Sequence, residues 1–148
     1  MPRLVILESP YAGYAPAWVP PGFRWLAAAY QRWRNARYTV RCMRDSLYRG
    51  EAPLASHVLY ASSGVLDDSD MAERARGLQA GFAWGLKCPV RVVYCDRGIS
   101  GGMRAGMNAG LPTQRVEFRY LDCVPPRCRE CGQILPPETR CICTRRRN

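Results

Sequence analysis

The chain is nearly without lysine and histidine: of its 22 basic residues only Lys87 is lysine, and His57 is the single histidine. One histidine leaves no room for a multi-histidine metal site, and no glycine loop ends in the lysine a P-loop requires. No Ser/His/Asp arrangement can be assembled either. Long apolar runs are also missing. No stretch approaches a membrane span, and the apolar part of Met1 to Glu8 is too short for a secretory signal. The expectation is a cytoplasmic protein with no membrane partner. Without an export signal, the eight cysteines argue against a disulfide framework.

The 148 residues suffice for one ordinary domain and an appendage, and an apolar fraction of 47% is normal for a chain that buries a core. The net charge of +10 is carried almost wholly by arginine. Two readings of that bias stand side by side. A planar guanidinium fork suits phosphate, which points to a polyanionic or phosphorylated partner. A GC-rich genome would enrich arginine with no partner at all.

Strand and helix patterns alternate along the chain. Arg3 to Glu8 reads as a buried strand, followed by a loop at Ser9 to Gly13 and a proline-containing stretch that cannot be regular helix. A helix is expected over about 23–48, interrupted near Asn35, with Tyr38, Cys42 and Leu47 on its apolar face. Pro53 to Tyr60 reads as a second strand. Asp70 followed by Glu73 fits a capping box for a helix over about 71–86. Val90 to Cys95 and Arg115 to Leu121 read as further strands, flanking a glycine turn and a short helix that ends near Ala109. This alternation predicts an α/β fold: a parallel sheet of four to five strands with helices on both faces, whose ligands bind beyond the carboxyl ends of the strands. The carboxylates near that edge are Glu8, Asp67, Asp68, Asp70 and Asp96.

Gly98-Ile-Ser100-Gly101-Gly102 follows a strand and opens a helix. With Ser100 as N-cap and Arg104 in the first turn, its backbone amides would form an anion site. A tight turn with no ligand would look the same. After Asp122 the pattern changes, so residues 1–122 are read as the α/β domain and 123–148 as a separate basic tail. Cys128-x-x-Cys131-Gly and Cys141-x-Cys143 supply four thiolates without histidine, a set suited to one structural Zn²⁺. The competing reading is a redox pair or loose thiols. Six arginines in the tail suit contact with a nucleic-acid backbone, or serve only solubility. No organic cofactor is implied.

Several of these segments, in order, resemble a known group: Ser9-Pro10-Tyr11-Ala12-Gly13, Arg44-Asp45-Ser46-Leu47, Ser56-His57-Val58-Leu59-Tyr60, Leu66-Asp67-Asp68, and Asp96-Arg97-Gly98-Ile99-Ser100-Gly101-Gly102-Met103. They are similar to a bacterial and phage branch of the nucleoside 2-deoxyribosyltransferase superfamily, which includes nucleotide N-glycosidases. The resemblance covers about residues 3–121, with 14–32 as an insertion. It implies a Rossmann-like, flavodoxin-like domain that acts at an N-glycosidic bond of a nucleoside or nucleotide and works as a homo-oligomer. Carried across, Asp96 and Tyr11 would act at the reacting centre. Ser9, Gly13, His57, Asp68, Gly98, Ser100, Gly101, Gly102 and Arg104 would bind sugar or phosphate. The family's nucleophilic glutamate falls on Gly106, which cannot form a glycosyl intermediate. Either another carboxylate, such as Asp96 or Asp68, takes that role, or the domain binds a nucleotide without cleaving it.

Overall fold

The computed structural model describes residues 1–123, 126, 127, 132, 134 and 135. Four strands, β1 (Arg3–Glu8), β2 (Glu51–Leu54), β3 (Val90–Tyr94) and β4 (Arg115–Arg119), form one all-parallel sheet in the order β2-β1-β3-β4. Three helices connect them: α1 (Arg24–Tyr48), α2 (Met71–Gly85) and α3 (Gly101–Asn108). The register pairs Ile6 with both Leu54 and Arg91, and Val93 with both Glu8 and Phe118. β3 is buried at every position, as the central strand of a parallel sheet should be. β2 carries Pro53, which an edge strand tolerates because one side of its backbone needs no partner.

The pleat divides the core into two layers. Val5, Leu7, Val90, Val92 and Tyr94 pack with Tyr38 and Cys42 of α1. Val93 and Cys95 pack with Met103 of α3 on the opposite face. Helices therefore cover both faces. No helix among the described residues is long and apolar enough to cross a membrane.

Several local expectations are corrected. α1 runs unbroken through Asn35, because the Asn35 side chain bonds the β1 loop instead of its own backbone. Its buried face is Asn35, Tyr38, Thr39, Cys42 and Ser46, whereas Leu47 lies in solvent. The second strand ends at Leu54, and the chain then turns into a π-helical turn, Val58–Ser62, so His57 sits at a helical N-terminus and not in a strand. Asp70 caps α2 as its sequence suggests, with its side chain accepting from Ala72 N and Glu73 N. Glu73 returns its carboxylate to Asp67 N (2.6 Å), not to the cap residue. Of the proposed insertion, only residues up to Phe23 precede α1; the rest forms its first turns. The zinc ligands expected at Cys128, Cys131, Cys141 and Cys143 lie outside the described residues. Among those that are described, no group of three His, Cys, Asp or Glu residues could hold a metal ion.

Candidate active-site cleft

In the order β2-β1-β3-β4, the chain leaves β1 for one neighbour and later enters the other. The connections diverge there and open a crevice above the carboxyl ends of β1 and β3. Two adjoining hollows occupy it, of about 580 Å³ and about 240 Å³, with Ala12 and Ser100 lining both.

Glu8 closes β1 and lines the smaller hollow. Its Oε1 accepts from Nη1 of Arg91, a β3 residue only 1% exposed. Arg91 Nε donates to Gln114 Oε1 (3.1 Å), and Gln114 Nε2 donates to the carbonyls of Gly85 and Cys88, at 2.7 Å each. Two helix glycines make room for this pair. A Cβ at Gly106 would overlap Glu8 Oε1 and lie 3.0 Å from Arg91 Nη1, and one at Gly85 would lie 2.6 Å from Arg91 Nη2. Burial pushes the Glu8 carboxyl up to about 7, overcoming the pull of Arg91 in the other direction. A carboxyl near neutrality in a cleft can give or take a proton under physiological conditions.

A polar chain crosses beside it. His57 Nε2 lies 3.0 Å from Ser9 Oγ, which lies 2.7 Å from Thr39 Oγ1, and Thr39 donates to Asn35 O (3.0 Å). Each contact has its own proton when His57 Nε2–H donates to Ser9 and Ser9 donates to Thr39. That assignment leaves Nδ1 as an acceptor. Burial lowers the His57 pKa to about 4, so the ring is neutral at physiological pH. The Tyr11 ring packs against it, centroids 5.7 Å apart. Asp68 Oδ2 accepts from Arg74 Nη1 (2.6 Å) at the far wall of the same hollow.

The larger hollow is cationic. Arg34, Arg97 and Arg104 line it together with Gly98 and Ser100. Asn35 joins the two strand-end loops: its Nδ2 donates to Ala12 O (3.1 Å) and its Oδ1 accepts from Arg97 Nη1 (3.0 Å). Ser100 caps α3, accepting from Met103 N (3.3 Å). A side chain built at Gly101 would meet open space, and Gly101 opens α3 beside the arginines of the larger hollow. Gly98 has φ +77°, a conformation that favours glycine and lets the turn leave β3 sharply.

Residues 3–115 match a family model described as Domain of unknown function (DUF7768). The chain belongs to that family. No curated protein and no solved structure matches it.

Within the DUF7768 domain, Ser9, Tyr11, His57, Asp68, Ser100, Gly101 and Gly102 line the smaller hollow, and Gly98, Ser100 and Arg104 the larger. Gly13 lines neither: a Cβ there would overlap the Ala28 carbonyl, so its glycine serves the packing of the loop on α1. Asp96 is also apart. It accepts from Tyr38 Oη and from the backbone amides of Leu121, Asp122 and Cys123. Burial raises its pKa, but those four donors outweigh burial and hold the carboxyl below its usual range. Asp96 thus anchors the segment after β4. Sequence reasoning did not single out Arg91, Asn35, Arg34, Arg97 and Arg74. The available signals were an arginine inside an apolar strand, an asparagine on a buried helix face, and glycines inside two helices.

Proposed function

We propose that the cleft binds a nucleoside or nucleotide and breaks or transfers its N-glycosidic bond, with Glu8 as the working carboxylate. The observation carrying this reading is the position of Glu8 Oε1, in the space a Cβ at Gly106 would need. Position 106 is where the resemblance puts the nucleophile. A carboxylate is therefore available at that point, supplied by β1 in place of α3. In the transfer reaction Glu8 forms a bond to the anomeric carbon while the C–N bond breaks and its electron pair leaves with the base, which takes up a proton. A second base or water then bonds the same carbon, losing its N–H or O–H proton, as the Glu8–carbon bond breaks and Glu8 leaves as a carboxylate. In direct hydrolysis Glu8 instead takes the proton of water as the water oxygen bonds the anomeric carbon, and the C–N bond breaks with its electron pair leaving on the base, which takes up a proton.

The remaining residues support the same reading. Tyr11 and the neutral His57 offer a flat wall and an acceptor for the sugar. The open α3 N-terminus with Arg97 and Arg104 offers a phosphate site. The Glu8–Arg91 ion pair favours a second reading, binding without cleavage, because a paired carboxylate is a weaker nucleophile. Incubation with a panel of deoxynucleosides and their monophosphates separates the two. Release or exchange of free base that is lost in Glu8→Gln supports catalysis. Thermal stabilisation by a nucleotide with no product supports the binder. The tail cysteines are proposed to hold one structural zinc ion, outside this chemistry.

A further inference from the structure

α1 presents a second surface, which shares only Arg34 with the cleft. Along its solvent side Leu26, Tyr30, Trp33, Arg37, Val40, Arg44 and Tyr48 recur every three to four residues, one stripe about 33 Å long at the helical rise. Tyr30 and Trp33 are 57% and 55% exposed, with their rings stacked 25° from parallel. Guanidinium groups interleave with the rings: Arg34 over Tyr30 at 5.8 Å, Arg37 over Trp33 at 5.3 Å, and Arg44 over Tyr48 at 5.5 Å. From Ser9 to Arg44 the sequence contains six arginines and no aspartate or glutamate.

We propose that this face of α1 binds single-stranded nucleic acid, its rings stacking on bases and its arginines contacting phosphates. Alternating flat rings and cations along a groove or ridge are what a strand with exposed bases requires. A duplex hides those base faces. A second copy of the chain would set arginine against arginine, with no acidic residue on the stripe to neutralise them. The surface lies apart from Glu8, and the inference does not rest on the glycosidic reading.

The test uses the full chain and a labelled thymidine oligonucleotide of about 12 residues, a length within the usual range of single-strand sites. Trp33→Ala and Tyr30→Ala are each expected to weaken binding about tenfold or more, and Trp33→Phe to recover most of it. Arg37→Gln should flatten the dependence of log affinity on log salt by about 0.7, the value for one phosphate contact on a single strand. The matching duplex should bind less tightly at the same salt. Since both rings are half in solvent, unfolding temperatures should stay near that of the parent. Unchanged affinity in Trp33→Ala overturns the proposal and moves any binding to another surface, such as the basic tail. Equal affinity for single strand and duplex overturns it as well. So does a dimer in sedimentation that Trp33→Ala dissociates, which would make a second copy the occupant.

Discussion

Gly106 and Gly85 show how much a missing methyl group decides. An alanine in a helix is ordinarily about 1 kcal/mol better than glycine. At position 106 the added Cβ would overlap Glu8 Oε1, and overpacking of that kind costs about 1–3 kcal/mol, so Gly106→Ala should be net destabilising. In a Glu8→Ala background the same change should stabilise, and a double-mutant cycle on denaturation midpoints reads the sign change directly. Titration of Glu8 gives a second check. Its folded pKa, about 7, lies above the ordinary carboxylate value. The stabilisation it contributes is therefore complete below about pH 4.5 and is lost as pH rises through 7. Relative to the parent, Glu8→Gln should gain stability over that window, and catalysis by the ionised form should rise through the same range. A flat stability difference from about pH 4 to 8 would mean that Glu8 is not held in this environment. Glu8 was legible in the sequence as a carboxylate at a strand's end. Its importance was not, because that depends on a register that sets Arg91 beside it on one face, and on two glycines from different helices.

Among the elements, β3, α2 and α3 followed from the sequence because their signals are local: a β-branched run, an aspartate cap, and a serine cap after a glycine turn. β2 did not. Its apolar run continues past Leu54, yet only the first residues pair with β1, and Ala55 is buried beneath α1 while the chain coils on. What fixes β2 is a long-range ion cluster. Glu51 accepts from both Arg119 guanidinium nitrogens (2.7 and 2.8 Å), from Ser46 Oγ (2.7 Å) and from Arg3, tying β4, α1 and β1 to its own strand. The Arg119 hydrogen bonds lower the Glu51 pKa to about 2 despite burial. With a depressed folded pKa, this stabilisation is present above about pH 4.5 and disappears as pH falls toward 2. Glu51→Gln should cost about 3 kcal/mol at neutral pH, since it leaves the buried Arg119 with Glu117 as its remaining carboxylate, and much less near pH 2. Urea denaturation at the two pH values measures the difference. A cost independent of pH would assign the cluster a packing role only. Asp96 behaves likewise at the other end of the sheet. Losing an acceptor for four donors, Asp96→Asn should lower the unfolding temperature by several degrees, whereas removal of a carboxylate that served only a reacting centre would cost little stability.

Across the whole molecule, positive charge is segregated. The acidic residues among the described positions are largely committed to ion pairs within the α/β unit, while the stretch from Ser9 to Arg44 and the tail carry arginine with little to balance it. The family match ends at residue 115, the first residue of β4, and among the described residues both core layers are built before the tail. Among the described residues, the tail meets that unit where Cys123 N donates to Asp96 Oδ1 (2.9 Å) and where Tyr120 Oη donates to Leu135 O (2.7 Å), while Arg127 and Ile134 pair with each other in an isolated bridge. Two consequences can be measured together. If Cys128, Cys131, Cys141 and Cys143 hold zinc, protein purified without chelator contains one zinc per chain, and Cys128→Ser or Cys141→Ser loses it. Because no core side chain comes from the described residues of the tail, stripping the metal with a chelator should leave the main unfolding transition within a degree or two. A small domain stabilised chiefly by its metal would unfold instead. A chain ended after Cys123 should likewise keep that transition, since all three amides that bond Asp96 remain, whereas one ended at Arg119 removes them and should be markedly less stable. Absence of zinc from the intact chain would sink the metal assignment. Collapse of the main transition on chelation would show that the α/β unit depends on its tail.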